Sequence, residues 1–394
     1  MAGTPKSNRP HIAIFGRRNV GKSSLINAIT SQTLSIVSDT PGTTTDPVEK
    51  AMELLPFGPV VFIDTAGLDD EGDLGRLRMK RSEDVLQKTD IAILVVDGAV
   101  ESTELQLVEK LDRLGIPFLL VFNKCDIGSF SENAHGGLEG LPVSAKTGKG
   151  VAQLKERLLG ILEGWAETAT LSLTAGLVPP GGLAVLVVPI DSEAPAGRLI
   201  LPQVQVIRDI LDNDALCIVM KERELGYGLQ LLGRKPDIVI TDSQAFLKVA
   251  GDVPEDVPMT SFSILFARQK GDLEMLAAGA RTIGCLRDND TVLISEACTH
   301  HAVGDDIGTV KIPRLLRQFT GKKLHFKYAK GKYFDMDKEA ALVIHCGGCM
   351  LNRRAMISRM TLSQGSHVPM TNYGMVIAYT LGLFERALRP FGLS

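Results

Sequence analysis

Short apolar runs alternate with amphipathic stretches along the first part of the chain. The apolar runs predict buried strands at 11–15, 60–64, 91–97 and 117–123, and the amphipathic stretches predict helices at 76–88, 103–114 and 150–163. Residues 52–55 and 60–64 flank the turn sequence PFGP, which predicts a hairpin. Strands that alternate with helices in this way favour an open α/β sheet with mostly parallel strands.

A break in this pattern separates the first part from the remainder. The segment TAGLVPPGG at 174–182 is rich in glycine and proline and has no periodicity, so it is predicted to be a linker. Beyond it, strands are predicted at 183–191, 215–220, 237–242, 291–297, 323–329 and 341–346, and helices at 203–214 and 373–388. We find no internal repeat in the sequence. The predicted fold is α/β, in three domains at 1–168, 169–268 and 269–394.

Composition narrows the functional classes. The 394 residues are 44% hydrophobic with a net charge of −3 and no long basic run, so we expect no nucleic-acid partner. The apolar runs fall well short of the ~20 residues that span a bilayer, and the N-terminus lacks the apolar core of a signal peptide, so we expect no membrane association and a cytoplasmic location. Six cysteines in a reducing compartment are not expected to form a disulfide framework.

A phosphate-binding loop follows the first predicted strand. Gly16 to Ser23 read G-x-x-x-x-G-K-S, with a helix predicted after them. The glycines let backbone N–H groups face phosphate oxygens, and the helix N-terminus adds a positive dipole. Lys22 is predicted to reach the β- and γ-phosphates and Ser23 to hold Mg²⁺. The nucleotide-binding candidates in this loop are Gly16, Asn19, Gly21, Lys22, Ser23 and Ser24.

Separate residues indicate that the base is guanine. Asp126, in the NKCD sequence, can accept two hydrogen bonds from guanine, a pair of donors that adenine does not offer. Asn123 is predicted to bond the N7/O6 side of the purine, and Lys124 to cover the ring face. In the sequence SAK, formed by Ser144, Ala145 and Lys146, a backbone N–H is predicted to reach O6.

Two further segments predict contacts to the γ-phosphate and to Mg²⁺. Asp64 ends a predicted strand in the sequence DTAG, where it would lie in the Mg²⁺ shell, while the N–H of Gly67 would contact the γ-phosphate. Thr44, in PGTTTD, is the candidate for a second hydroxyl on Mg²⁺, with Thr43 and Thr45 as competitors. The predicted catalytic set is Lys22, Thr44, Asp64 and Gly67.

In their order and spacing, these five elements resemble the translation-factor-related GTPases, especially the tRNA-modification and ribosome-assembly branch. Leu68 follows Gly67 where Ras-like proteins have a water-positioning glutamine, so slow intrinsic hydrolysis is expected. In the resembled branch the asparagine at the position of Asn19 helps to hold K⁺ against the phosphates. The resemblance therefore implies K⁺ as a further cofactor.

Cysteines and histidines follow two predicted strands in the last part of the chain. Cys298 and His300 follow one strand, and His345, Cys346 and Cys349 follow the other, at the strand ends where open α/β sheets bind ligands. A redox dithiol, a structural Cys₃His zinc site, an iron–sulfur cluster and unliganded cysteines are the alternatives. A cubane cluster normally takes four cysteines. With three, one iron keeps an exchangeable position, for which His300, His345, Asp305 and Asp306 are candidates.

The pattern C-T-H…H-C-G-G-C, together with MTNYG at 370–374 and the GTTTD sequence, resembles the HydF family of [FeFe]-hydrogenase maturation GTPases over essentially the whole chain. The resemblance implies that Cys298, Cys346 and Cys349 bind a [4Fe-4S] cluster, with His300 and His345 as candidate cluster-site residues. It also implies a homodimer formed by the middle domain, and a scaffold that passes a diiron precursor from radical-SAM maturases to apo-[FeFe]-hydrogenase. The alternative is a tRNA-modification or ribosome-assembly GTPase with a structural zinc domain.

Overall fold

The computed structural model describes residues 4–30, 47–65, 67, 83–127, 138–169, 172–190, 199–297, 306–331, 334 and 336–393. Thr44, Leu68, Cys298, His300, Asp305 and most of the helix predicted at 76–88 lie outside the described residues. The chain divides into two compact units, residues 1–170 and 171–394. Among the described helices, none combines the length and the apolar character needed to cross a membrane.

The first unit contains a six-stranded sheet of order β2-β3-β1-β4-β5-β6. Its strands are β1 (His11–Phe15), β2 (Val48–Leu54), β3 (Gly58–Asp64), β4 (Ile91–Val96), β5 (Phe118–Phe122) and β6 (Leu141–Pro142). The β2–β3 pair is antiparallel, which confirms the predicted hairpin, and the other pairings are parallel as expected. Its helices are α1 (Lys22–Thr30), α2 (Ser102–Arg113) and α3 (Val151–Ala169). One apolar cluster covers each face of the sheet, which explains why β1 and β4 are apolar at nearly every position.

The second unit begins with a four-stranded parallel sheet of order β10-β9-β7-β8. Its strands are β7 (Leu183–Val187), β8 (Leu216–Met220), β9 (Ile238–Thr241) and β10 (Met259–Ser261). The helices of this part are α4 (Leu201–Asp212), α5 (Leu225–Leu231), α6 (Phe246–Asp252), α7 (Phe262–Lys270) and α8 (Leu273–Arg281).

A second four-stranded parallel sheet follows, of order β12-β11-β13-β14. Its strands are β11 (Thr291–Glu296), β12 (His325–Lys330), β13 (Leu342–His345) and β14 (Met370–Asn372). Its helices are α9 (Ile312–Thr320), α10 (Arg353–Gly365), α11 (Tyr373–Thr380) and α12 (Phe384–Leu388). The single helix predicted at 373–388 is wrong, because the chain leaves the helical path between Thr380 and Phe384 and forms two helices.

The two sheets of the second unit repeat one topology. In each, the first strand is central, the second lies on one side of it, and the third and fourth follow on the other side. The registers agree too, since Met259 pairs with Val239 as Met370 pairs with Val343. The short shared sequences VPMTSF at 257–262 and VPMTNY at 368–373 lead into equivalent helices. The expectation that the chain has no internal repeat is therefore wrong.

Both repeats contribute to one hydrophobic core. A single cluster of buried side chains contains Val185 and Val239 from the first sheet and Val343 and Met370 from the second. Apolar contacts that run continuously between the sheets make residues 171–394 one compact unit. The division of this region into two domains at 268/269 stays a prediction.

Candidate functional site

The P-loop connects β1 to α1 and contains two glycines with positive φ angles, a backbone conformation that other residues rarely adopt. Gly16 has φ +147°, and a Cβ there would lie 2.2 Å from the carbonyl oxygen of Val95. Gly21 has φ +96°, and its Cβ would lie 2.3 Å from Nδ2 of Asn123. Any larger residue would therefore push the loop away from the strand and from the guanine motif.

The two predicted Mg²⁺ neighbours lie together beside this loop. Ser23 donates to Oδ2 of Asp64 across 2.5 Å, at the carboxyl end of β3. The Nζ of Lys22 donates to the carbonyls of Gly16 and Arg17 at 2.9 and 2.8 Å, so the ammonium lies inside the curve of the loop. A hydroxyl, a carboxylate and an ammonium at one helix N-terminus suit a Mg²⁺–nucleotide phosphate.

The remaining P-loop candidates face outward. Asn19 is exposed and takes the left-handed conformation at φ +61°, and Ser24 is exposed on α1. Gly67 is half-buried. The sequence reasoning missed Arg17, which donates from Nε to the buried carboxylate of Glu104 at 2.7 Å. Nothing in the sequence indicated this contact, because the two residues are far apart along the chain.

Asn123 joins two loops of the nucleotide site. Its Nδ2 donates to the carbonyl of Val20 at 2.7 Å, and its Oδ1 accepts from the N–H of Ala145 at 3.0 Å. This buried side chain therefore holds the P-loop and the SAK loop together, and because each of its polar atoms keeps a second hydrogen-bonding position, its bond to the purine stays a prediction.

Asp126 keeps the chemistry that guanine recognition needs. It is exposed, and a hydrogen bond from Ser144, with a smaller effect of Lys146, lowers the pKa of the Asp126 carboxyl. A carboxylate that stays ionised can accept from two base donors. Lys124 has φ +63°, and its Nζ lies 2.7 Å from Oδ2 of Asp97. This contact fixes the lysine side chain beside the NKCD loop.

The second candidate site lies at the carboxyl end of β13. Cys346 and Cys349 are free thiols in the loop after this strand. The N–H of Ala297, the last described residue before Cys298, donates to Sγ of Cys346 at 3.3 Å. Burial raises the pKa of the Cys346 thiol, while the N–H groups of Ala297 and Gly348 lower it. These N–H groups stabilise a thiolate, as they do around cluster sulfurs.

Both ring nitrogens of His345 are hydrogen-bonded to neighbouring protein groups. Its Nε2 lies 2.7 Å from Nη1 of Arg359, and its Nδ1 lies 2.7 Å from the carbonyl oxygen of Cys346. Arginine can only donate, so Nε2 must accept and Nδ1 must carry the proton that it donates to Cys346. Burial, aided by the charge of Arg359, lowers the pKa of His345 to about 3. In this arrangement His345 is neutral and holds the backbone of the thiol loop, and its role as a candidate cluster-site residue stays a prediction.

Lys270, at the end of α7, is a site residue that the sequence reasoning missed. Its Nζ donates to the carbonyls of Gly348, Cys349 and Leu351. Burial lowers the pKa of Lys270 to about 8, against the raising effect of the Cys349 and Cys346 thiolates. Its position before the sequence GDLEML carries no metal-site pattern, so no sequence signal would have revealed it.

The described part of the site fits an iron–sulfur group. Two cysteine sulfurs, N–H donors to sulfur and two buried cations, Lys270 and Arg359, surround the loop. Among the described residues no group of three or more His, Cys, Asp or Glu side chains is positioned to hold a metal. Cys298 and His300 lie outside those residues, so the ligand set stays a prediction.

The first unit is a P-loop GTPase domain, as its mostly parallel sheet, its P-loop, the Ser23–Asp64 pair and the NKCD loop together define. The family model described as 50S ribosome-binding GTPase matches residues 11–124. Residues 173–271 match the hydrogen maturase F dimerization domain, and residues 274–390 match the hydrogen maturase F tetramerization domain. Because these two models together match more than half of the chain, the chain belongs to the hydrogen maturase F family.

Curated relatives share the GTPase domain. GTPase Der of Wolinella succinogenes is 36% identical over 180 residues, which cover 41% of this chain and 38% of that protein. The tRNA modification GTPase MnmE of Desulfotalea psychrophila is 31% identical over 164 residues, which cover 39% of this chain and 34% of that protein. The chain thus spans little more than a third of the length of these relatives. Among solved structures, a probable GTP-binding protein engB covers 39% of this chain and 99% of its own, at 23% identity and a TM-score of 0.32, which is too low to support an inference.

Proposed function

We propose that this protein is a slow GTP hydrolase that serves as a scaffold in [FeFe]-hydrogenase maturation, carrying a [4Fe-4S] cluster and delivering a diiron precursor to apo-hydrogenase. The observation that carries the proposal is the thiol loop of Cys346 and Cys349 at the carboxyl end of β13, on the same chain as a complete P-loop. The match to both hydrogen maturase F models supports it. Apo-hydrogenase and radical-SAM maturases are the proposed partners.

In the GTPase half, each residue has a defined task. Lys22 would neutralise the β- and γ-phosphates, Ser23 and Thr44 would provide hydroxyls to Mg²⁺, Asp64 would lie in the Mg²⁺ shell, and the N–H of Gly67 would contact the γ-phosphate. Turnover is slow because Leu68 cannot orient water. The exposed amide of Asn19 helps to hold K⁺ against the phosphates.

The K⁺ role has a direct test in the rate of GTP turnover. Wild type should turn over faster in K⁺ than in Na⁺ buffer. Asn19→Gly keeps the left-handed backbone without the side chain and should lose the difference, because glycine adopts positive φ freely. Equal wild-type rates in the two salts would contradict the proposal.

In the cluster half, Cys298, Cys346 and Cys349 are the proposed ligands. When bound by three cysteines, the cluster would supply one iron that could take an exchangeable ligand. His345 holds the carbonyl of Cys346, and the N–H of Ala297 holds its sulfur, so the loop keeps its shape while a ligand exchanges. The proposed homodimer forms through the region that matches the dimerization model.

The decisive experiment separates the two halves. The full chain is purified without oxygen and reconstituted with iron and sulfide, and then iron, zinc, sulfide, visible absorbance and GTP affinity are measured. Cys346→Ala and Cys298→Ala should lose the cluster and keep GTP binding, whereas Lys22→Ala should lose GTP binding and keep the cluster. A colourless wild-type protein with one zinc per chain would overturn the cluster proposal. That result would favour the tRNA-modification or ribosome-assembly alternative, which the likeness to Der and MnmE supports for the GTPase domain only.

A further inference from the structure

We propose that Lys270 is a positioning residue for the iron–sulfur cluster, shaping the thiol loop and compensating the negative charge of the cluster, an inference that rests on the proposed function. Lys270 ends α7, in the first repeat of the second unit, whereas the thiol loop follows β13 in the second repeat. One side chain from one repeat therefore determines the geometry of the site in the other.

The ammonium satisfies three backbone carbonyls of the loop at once. Its Nζ lies 3.2 Å from the oxygen of Gly348, 3.1 Å from that of Cys349 and 2.8 Å from that of Leu351. An ammonium has three N–H donors, so this set uses all of them. The carbonyls are held toward Lys270, on one side of the loop, by a group that no neutral apolar side chain could replace.

The charge of Lys270 is the second element of the inference. The side chain is only 3% exposed, and among the described residues no carboxylate forms an ion pair with it. Taking an ammonium out of water is costly unless negative charge or dipoles compensate it. The C-terminal dipole of α7 and the ring of Phe266, 5.3 Å away, provide part of this compensation. The sulfurs of Cys349 and Cys346 act electrostatically on this ammonium, and they carry full negative charge when they are bound to a cluster as thiolates.

A cluster held by thiolates is anionic and becomes more negative on reduction. A buried cation next to it stabilises the reduced form more than the oxidised form, and therefore raises the reduction potential. The ammonium is thus positioned to favour both uptake of the cluster and its reduced state.

The experiment uses the full chain, reconstituted without oxygen, with Lys270→Gln as the main variant. Glutamine keeps an amide that can donate to the loop carbonyls, but it removes the charge. The reduction potential of the cluster is measured by a redox titration followed by electron paramagnetic resonance, and iron per chain is measured before and after a chelator challenge. We expect Lys270→Gln to shift the potential to more negative values and to lose iron several-fold faster. Lys270→Arg keeps the charge and should remain closer to wild type in potential.

Controls separate this role from general effects. Lys322→Met removes one positive charge from an exposed position and should leave the potential unchanged. Thermal unfolding of each apo-variant reports whether it folds, and Lys270→Arg serves as the folded comparison if Lys270→Gln does not fold. A folded Lys270→Gln protein with wild-type potential and iron retention overturns the inference. A wild-type protein that takes up no cluster overturns the proposed function itself, which is a different result.

Discussion

Nη1 of Arg359 lies 2.7 Å from Nε2 of His345, and the two side chains are 2% and 1% exposed. Because arginine is always a donor, this contact fixes the histidine in one tautomer and aims its proton at the backbone of the thiol loop. A histidine beside two cysteines, which resembles a metal ligand in sequence, thus supports the loop from within the protein.

This arrangement predicts a stability change with pH. The pKa of His345 is about 3 in the folded protein and about 6.5 when unfolded, so the unfolded chain binds the extra proton first as the pH falls. The contribution of neutral His345 to the free energy of unfolding is complete above pH ~6.5 and is lost as the pH falls toward ~3. From pH ~6.5 to ~5, the free energy of unfolding of wild type should fall by about 2 kcal/mol more than that of His345→Asn.

Urea unfolding of the apo-protein at several pH values measures this difference. His367→Asn is the matched control, since His367 is exposed, and it should follow the wild-type curve. Parallel curves for wild type and His345→Asn would show that the histidine is not held neutral as the contacts require.

Asp126→Asn should change the base preference rather than abolish nucleotide binding. The carboxylate accepts from guanine, whereas an amide also presents a donor, which matches the additional carbonyl of xanthine. We expect GTP affinity to fall at least about tenfold and XTP affinity to rise, because an unpaired polar contact costs about 1–3 kcal/mol. Titration calorimetry with both nucleotides tests this.

Asn123→Ala provides the contrast to that exchange. It removes the two bonds that hold the P-loop and the SAK loop together, so it should weaken GTP and XTP alike. Retained GTP affinity in Asn123→Ala would mean that the two loops keep their places without the amide.

Gly279→Ala tests the close packing of α8 against β14. A Cβ at Gly279 in α8 would lie 2.0 Å from the carbonyl oxygen of Met370 in β14. Because the contact is to a backbone atom, α8 or β14 would have to move to make room for the Cβ. We therefore expect a loss of about 2 kcal/mol or more in the free energy of unfolding. Gly251→Ala is the control in α6, where a Cβ meets nothing within 4 Å, and it should be neutral or slightly stabilising. Equal midpoints in denaturant for the two variants would contradict the close approach.

The edge strand β8 is where we expect the proposed dimer to pair. It ends its sheet, and its apolar side chains Leu216, Ile218 and Val219 are 58%, 36% and 41% exposed. The equivalent edge strand β12 carries Lys327 and Lys330, charges that discourage pairing. Ile218→Lys should reduce the solution mass measured by light scattering toward that of the monomer, while Tyr328→Lys on β12 should leave it unchanged. A dimeric Ile218→Lys protein would place the contact elsewhere.

Where local pattern determined the structure, the sequence predicted it. The buried strands around the P-loop are apolar at consecutive positions, and the PFGP turn between two apolar stretches predicted the hairpin that β2 and β3 form. The P-loop motif after β1 and the DTAG sequence after β3 both predicted Mg²⁺ neighbours, and the structure places Ser23 beside Asp64.

Contacts between distant residues could not be predicted in this way. Lys270 and Arg359 reach the thiol loop only because two helices pack against it, and a single sequence does not reveal which long side chains will turn inward. The internal repeat could not be recognised from the sequence because the shared hexapeptides VPMTSF and VPMTNY are short, while strand order and register carry the remaining likeness.

Ser263 and Gly374 occupy the same position in the two repeats, and a Cβ on Gly374 would lie 2.7 Å from that of Ser263. The two copies thus meet at matching points on their first helical turns, a seam that leaves room for one side chain only. At this contact neither backbone can shift without displacing the other, so the two copies are fixed relative to each other there. Their outer edges lie away from the contact and are not constrained by it. The outer parts of the two copies accordingly differ: the first exposes apolar side chains on β8, while the second carries Cys346 and Cys349 after β13.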